Sequence, residues 1–255
     1  MKIIVVGGSG LIGRRLIPLL RDQGHDAQPA SPSTGVNTLS GQGLDEALNG
    51  ATVVIDVSNS PSFEEDDVMQ FFTVSTRNLL AAEARAGVTH HVALSVVGAD
   101  RIRDSAYMRA KVAQEKLIQS SPIPFTILRA TQFFEFLGTI ADQSTADRVI
   151  RLPSAPMQPV AANDVAETLA DIATGPAANR ICDLAGPESL SIAEFIERYL
   201  LSNGDNRTVI RDDHSGYFGA HLDQLGLIPE TTERIGRTHF DEWQNRQTKL
   251  EFATK

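Results

Sequence analysis

Cysteine is almost absent from this 255-residue chain. Cys182 stands alone, so no intramolecular disulfide can form, and a lone thiol suits a reducing compartment. No basic cluster flanks it in Arg180-Ile181-Cys182-Asp183-Leu184, a short strand pattern in which it reads as a small buried hydrophobe. Tryptophan occurs once and aromatics make up 6% of the chain. No apolar run approaches the roughly 18 residues that a membrane span needs. The opening MKIIVVGGSG is broken by glycines too early for a signal peptide, so a cytoplasmic protein is expected. Positive charge is also short: 23 Lys and Arg face 32 Asp and Glu, for a net charge of −9. An acidic surface repels phosphate backbones, which argues against nucleic acid as the main partner while leaving a local basic patch open. Two further chemistries lack their residues. No G-x-S-x-G elbow exists for a serine hydrolase. His90 and His91 alternate to opposite faces of a strand, and His214, His221 and His239 are too scattered for a metal site.

What remains is the composition of a globular protein, 42% hydrophobic and 22% charged. The first half alternates strand and helix patterns. Strands are expected at Lys2–Val6, His25–Ala30, Thr52–Val57, His91–Ser95 and Phe125–Leu128. Helices are expected at Leu11–Gln23 (with Pro18 inside), Leu44–Asn49, Asp67–Ala86 and Ser105–Ser120. Near-continuous apolar strands separated by helices predict an α/β fold, a doubly wound parallel Rossmann sheet with helices on both faces. Residues 1–130 form this core, and later segments return to it. Residues 131–255 read as a smaller α+β substrate region, too loosely patterned for an independent core. Short β runs fall at Val149–Leu152, Pro159–Ala161, Ile181–Leu184 and Val209–Ile210, and helices at Asn163–Thr174 and Ser191–Leu201. Gln247 to Lys255 is polar and reads as a frayed end.

The most informative motif is Gly7-Gly8-Ser9-Gly10-Leu11-Ile12-Gly13, which follows a strand and opens a helix. The first glycine permits a tight turn, the middle one lets backbone approach a pyrophosphate, and the last packs helix on strand. The helix N-terminus then offers free amides and partial positive charge to the phosphates. The second strand ends in Ala30-Ser31-Pro32-Ser33, without the acid that holds the ribose hydroxyls of NAD. Ser31 and Ser33 can donate hydrogen bonds there, and Arg14 or Arg15 can supply charge. NADP(H) is therefore favoured, with NAD(H) still open. Ser58 and Asn59, after the third strand, belong beside the nicotinamide ribose.

Tyr107-Met108-Arg109-Ala110-Lys111 places a phenol and an ammonium at i and i+4 of a helix. A neighbouring ammonium lowers a phenol pKa from about 10, which suits Tyr107 to general acid/base work. Ser95 ends the preceding strand, on the side where open α/β sheets bind ligands. Gln132, Phe133 and Phe134 follow the fifth strand as candidate walls of a substrate pocket.

Together the glycine turn, Ser95 and Tyr107-x-x-x-Lys111 resemble the short-chain dehydrogenase/reductase superfamily. Within it the chain is similar to atypical and extended, NmrA-like members. Val53–Pro61, Phe125–Arg129, Val160–Ala166 with Asp164, and Asp183–Glu188 extend the resemblance across roughly residues 1–200. It implies a nicotinamide cofactor and hydride transfer to or from a carbonyl, enone or alcohol of a small molecule. Tyr107 would be the acid/base, Lys111 the ribose ligand and Ser95 the group that polarises substrate. Two positions depart from the pattern: Val6 replaces the usual threonine before the turn, and Ser95 lies closer to Tyr107 than in extended members. NmrA-like redox sensors, which typically lack the tyrosine, and cofactor-retaining isomerases or epimerases are the alternatives. The pattern leaves room for a homo-oligomer.

Overall fold

The computed structural model describes residues 1–253, with side chains to Gln247. The chain runs β1 (Lys2–Val6), α1 (Gly13–Asp22), β2 (Asp26–Ala30), α2 (Leu44–Leu48), β3 (Val53–Asp56), α3 (Glu65–Ala86), β4 (His90–Val96), α4 (Ala106–Gln119) and β5 (Phe125–Ala130). It continues as α5 (Leu137–Gln143), β6 (Thr145–Ala146), β7 (Val149–Leu152), β8 (Pro156–Met157), α6 (Ala162–Thr174) and β9 (Arg180–Ala185). The last elements are β10 (Leu190–Ser191), α7 (Ile192–Ser202), β11 (Thr208–Arg211), β12 (Arg234–Ile235) and α8 (Phe240–Ala253).

Among the described residues, seven strands form one parallel sheet in the order β12-β9-β5-β4-β3-β1-β2. The strand order reverses between β1 and β3, the place where doubly wound sheets bind ligands. The sheet is buried on both faces. α1 and α6 cover one face around Leu16, Leu20, Val165 and Leu169, so α6 and β9 complete the layer begun by the first half. α3 and α4 pack together on the other. Pro18 sits on the exposed side of α1, and the helix continues through it. Gly87, left-handed at φ +74°, ends α3. Cys182 is buried in the sheet, as expected for a small hydrophobe.

The second half is better packed than its pattern suggested. Phe134, Phe195 and Phe240 are fully buried and form one aromatic cluster with Trp243, neighbouring rings tilted or edge-on at centroid distances of 5.4–6.3 Å. This second core also draws on Ala99, Ile102 and Met108 from the first half. Pro159–Ala161 forms no strand: Val160 makes one isolated bridge to Phe133 before α6 begins. The expected frayed end at Gln247 is helical as far as Ala253, and Thr254 and Lys255 lie outside the described residues.

Candidate functional site

Three positions in the glycine turn, Gly7, Gly8 and Gly13, have no room for a side chain. Gly7 is left-handed (φ +78°), and a Cβ there would sit 2.7 Å from the Ser58 amide nitrogen. A Cβ on Gly13 would lie 2.4 Å from the Gly8 Cα. The turn thus wedges β1, α1 and the segment after β3 together. Ser9 and Gly10 are exposed at its tip. The start of α1 has no side-chain cap and no acidic residue in its first turn. No described carbonyl accepts the amides of Leu11 or Ile12. By contrast, Glu65, Asp66 and Asp67 occupy the first turn of α3. The N-terminus of α1 therefore keeps its donors and partial positive charge for an outside anion, and the cradle fits a dinucleotide pyrophosphate.

At the end of β2, Ser31 is buried and Ser33 exposed, with their Oγ atoms 2.9 Å apart and no carboxylate between them. Arg14 is exposed and its Nε donates to the Ser9 carbonyl, so its guanidinium stays at the turn. Arg15 faces elsewhere: it donates to Asn163 (2.8 Å) and to the Leu11 carbonyl (2.7 Å).

The polar residues beyond β3 and along α4 form a buried chain. Asp56 ends β3, and its Oδ1 accepts from the Ser58 amide (3.0 Å) and hydroxyl (2.6 Å). Its Oδ2 accepts from Gln114 Nε2 (3.0 Å), and Gln114 Oε1 accepts from Lys111 Nζ. Lys111 also donates to the Leu94 carbonyl (2.9 Å) and lies 4.3 Å from the centre of the Phe72 ring. Burial pushes its ammonium down to about 8, against the charges of Asp56 and Glu115 that hold it up. Asn59 is exposed beside this chain. Sequence reasoning singled out neither Asp56 nor Gln114. The available signal was spacing, since Gln114 falls three residues after Lys111 and seven after Tyr107 on one helical face.

Tyr107 lies one turn before Lys111, between Phe63 and Phe72 at centroid distances of 5.8 Å each. Its titration runs against the expectation. Burial pushes the phenol up to about 12, and Lys111, engaged elsewhere, does not draw it down. Its hydroxyl makes no hydrogen bond among the described residues. Tyr217 of the second lobe lies within electrostatic reach, its own phenol raised by burial and by repulsion from Tyr107.

Ser95 is not beside Tyr107. Its Oγ donates to Glu115 Oε1 (2.6 Å), eight residues further along α4, roughly 12 Å of helical rise. Glu115 is held by Arg129 at 2.8 and 2.6 Å, and Arg129 also reaches Asp100 (2.9 Å). This network spends the hydroxyl expected to polarise a substrate. Of the three residues after β5, Phe134 is not a pocket wall: it is fully buried at the heart of the second core. Phe133 is half-buried and stacks on the exposed Phe136 (5.5 Å, 17°). Gln132 is buried, and its Oε1 has no hydrogen-bond partner among the described residues. Buried His90 bonds Thr126 and buried His91 bonds Glu83, so both are internal. No group of metal-ligating side chains occurs among the described residues. No described helix is long and apolar enough to cross a membrane.

The family model for NAD(P)H-binding proteins matches residues 7–176, two-thirds of the chain, a span that includes the glycine turn, Asp56 and all of α4. Photosystem II assembly factor Ycf39 of Cyanophora paradoxa is 24% identical over 231 residues, 83% of this chain and 71% of that protein. Among solved structures, MoeE5 in complex with UDP-glucose and NAD superposes with a TM-score of 0.78 at 16% identity, over 100% of this chain and 99% of that one. The dTDP-4-dehydrorhamnose reductase of Bacillus anthracis in complex with NADP gives 0.75 at 14% identity, over 98% and 99%. At such identities these structures attest the fold. The chain therefore belongs to the NAD(P)H-binding family, on the Rossmann fold of the short-chain dehydrogenase/reductase superfamily that its motifs resemble.

Proposed function

We propose that this protein is a reductase that passes hydride from NAD(P)H to a carbonyl or enone of a small organic molecule, with Tyr107 as proton donor. One observation carries the reading. A phenol held in its protonated form stands one helical turn from an ammonium whose polar chain ends against Gly7. Gly7, Gly8, Ser9, Gly10, Leu11, Ile12 and Gly13 hold the pyrophosphate. Ser58, Asn59 and Lys111 hold the nicotinamide ribose, and Gln132 offers its acceptor to the substrate. Ser31, Ser33 and Arg14, with no acid among them, favour a 2′-phosphate and hence NADP(H). When bound, the reduced nicotinamide supplies the hydride. Tyr107 gives its proton to the oxygen that gains charge, and the Lys111 ammonium stabilises that charge through space. Phe63, Phe72 and Phe133 keep water from the reacting carbon and suit an apolar, planar substrate. Ser95 takes no part, because Glu115 holds it.

The test is Tyr107→Phe, with NADPH oxidation followed over a panel of small carbonyl compounds. The variant keeps its affinity for NADPH and loses about 10²-fold or more in turnover. Turnover equal to wild type removes Tyr107 from the reaction. A second reading, binding without chemistry, is favoured by the likeness to an assembly factor. It gains if the wild-type chain binds NADPH yet no carbonyl drives its oxidation. Product formed without net NADPH consumption would instead assign an isomerase or epimerase.

A further inference from the structure

We infer that Gln114 is the positioning residue of this site: its side-chain amide relays the Asp56 carboxylate to the Lys111 ammonium and fixes where that cation stands. The inference deepens the reading above and rests on it only for the role of Lys111. Asp56, Lys111 and Gln114 are each at most 2% exposed. An amide donating to a carboxylate with its nitrogen while accepting from an ammonium with its oxygen satisfies three buried polar groups at once. Neither charged group could reach such satisfaction alone. The orientation of Gln114 is thereby determined, because turning the amide over would set donor against donor and acceptor against acceptor.

The relay also joins two parts of the fold. Its far end is the Ser58 amide, which closes against Gly7 in the phosphate turn. Its near end lies on α4, one turn from Tyr107. The charged groups around Lys111 are few. Asp56 comes from β3 and Glu115 from α4 itself, while the Glu83–His91 pair, from α3 and β4, acts on the Asp56 end. Glu115 is already neutralised by Arg129. Asp56 is therefore the stronger of the two anions that keep Lys111 charged in a buried place, and Gln114 is the path between Asp56 and Lys111.

The experiment is a ¹³C NMR titration of the lysine ε-carbons in the cofactor-free protein, with Lys111 assigned from the signal missing in Lys111→Arg. Wild-type Lys111 should titrate near pH 8. Gln114→Met should move the midpoint down by about one unit or more, because an ammonium loses its acceptor. Asp56→Asn should also lower it, but by much less in the Gln114→Met background than in wild type. An unmoved midpoint in Gln114→Met overturns the proposal. Equal effects of Asp56→Asn in both backgrounds overturn it too, since Asp56 would then act directly through space. Should Gln114→Met fail to fold, Gln114→Asn retains the amide but falls one carbon short, and the same two outcomes apply. This titration needs neither cofactor nor substrate. A chain that binds no NADPH defeats the functional reading and leaves the relay standing; an unmoved midpoint does the reverse.

Discussion

Gln114 and Glu115 are neighbours on α4, yet they anchor polar chains that share no member. Gln114 joins Lys111 to Asp56 and, through Ser58, to the glycine turn. Glu115 joins Ser95 to Arg129 and Asp100, beside Ala99 and Ile102 of the second core. Both chains are buried at their centres, Lys111 and Gln114 in one and Ser95 and Glu115 in the other, and both contain a residue that the superfamily resemblance marks as functional. They differ in what lies at the far end. One reaches the glycine turn, which the proposed function assigns to phosphate. The other holds the loop after β4, whose Ala99 and Ile102 enter the second core. A polar residue's part in this fold is thus set by where its hydrogen bonds lead, more than by its place at a strand end or on a helix face.

The largest expected effect breaks the second chain. Arg129→Met removes the cation that holds Glu115, leaving a carboxylate buried and unpaired. Losing one partner of such a pair costs about 3–5 kcal/mol. Urea unfolding should show a loss of that order, and a loss under about 1 kcal/mol would mean that Glu115 takes up water instead. The next effect breaks the endpoint of the first chain. Gly13→Val sets a side chain against the Gly8 backbone and pushes the turn open. NADPH affinity by calorimetry should fall by roughly 100-fold or more, because the turn works through close backbone approach. Unchanged affinity would place the cofactor elsewhere. A third effect sharpens the contrast through pH. With the Tyr107 phenol at about 12, its proton-accepting form is scarce at neutral pH and grows about tenfold per unit below that value. At saturating cofactor, alcohol oxidation should climb steeply from pH 7 to 9, while carbonyl reduction, served by the protonated form, should not. Parallel pH profiles in the two directions would show that another group carries the proton.

Much of the sheet was legible because its signals are local. β1, β3, β4 and β5 are nearly continuous apolar runs, and Gly24 and Gly87 follow the helices they end. The glycine turn was legible for the same reason, since all its requirements fall within seven residues. The second core was not. Its contacts bring Ala99, Ile102 and Met108 to Phe134, Phe195, Phe240 and Trp243, and no period in the sequence marks residues so far apart as neighbours. The start of α8 was missed because the segment is polar and shows little sidedness. The phenol's titration was misjudged because spacing brings Tyr107 and Lys111 to one face but does not reveal that Gln114 and the Leu94 carbonyl take the ammonium first.

The smallest expected effect is the sharpest test of the comparison. Position favours Ser95: it is the next-to-last residue of β4, at the end of the sheet where open α/β folds bind ligands, and the next helix carries Tyr107. Hydrogen bonding opposes it, because its one proton already goes to Glu115 at 2.6 Å. Ser95→Ala removes a single hydrogen bond to a carboxylate that keeps both of its Arg129 contacts. The stability cost should be about 1–2 kcal/mol. Turnover on any carbonyl that the wild type reduces should stay within about threefold, since a group that never faces the substrate adds nothing to its transition state. A drop of 100-fold in kcat with unchanged NADPH affinity would show that Ser95 turns from Glu115 to the substrate when the site closes. The second chain would then belong to the chemistry as well, and Glu115 would be the latch that holds the serine until substrate arrives.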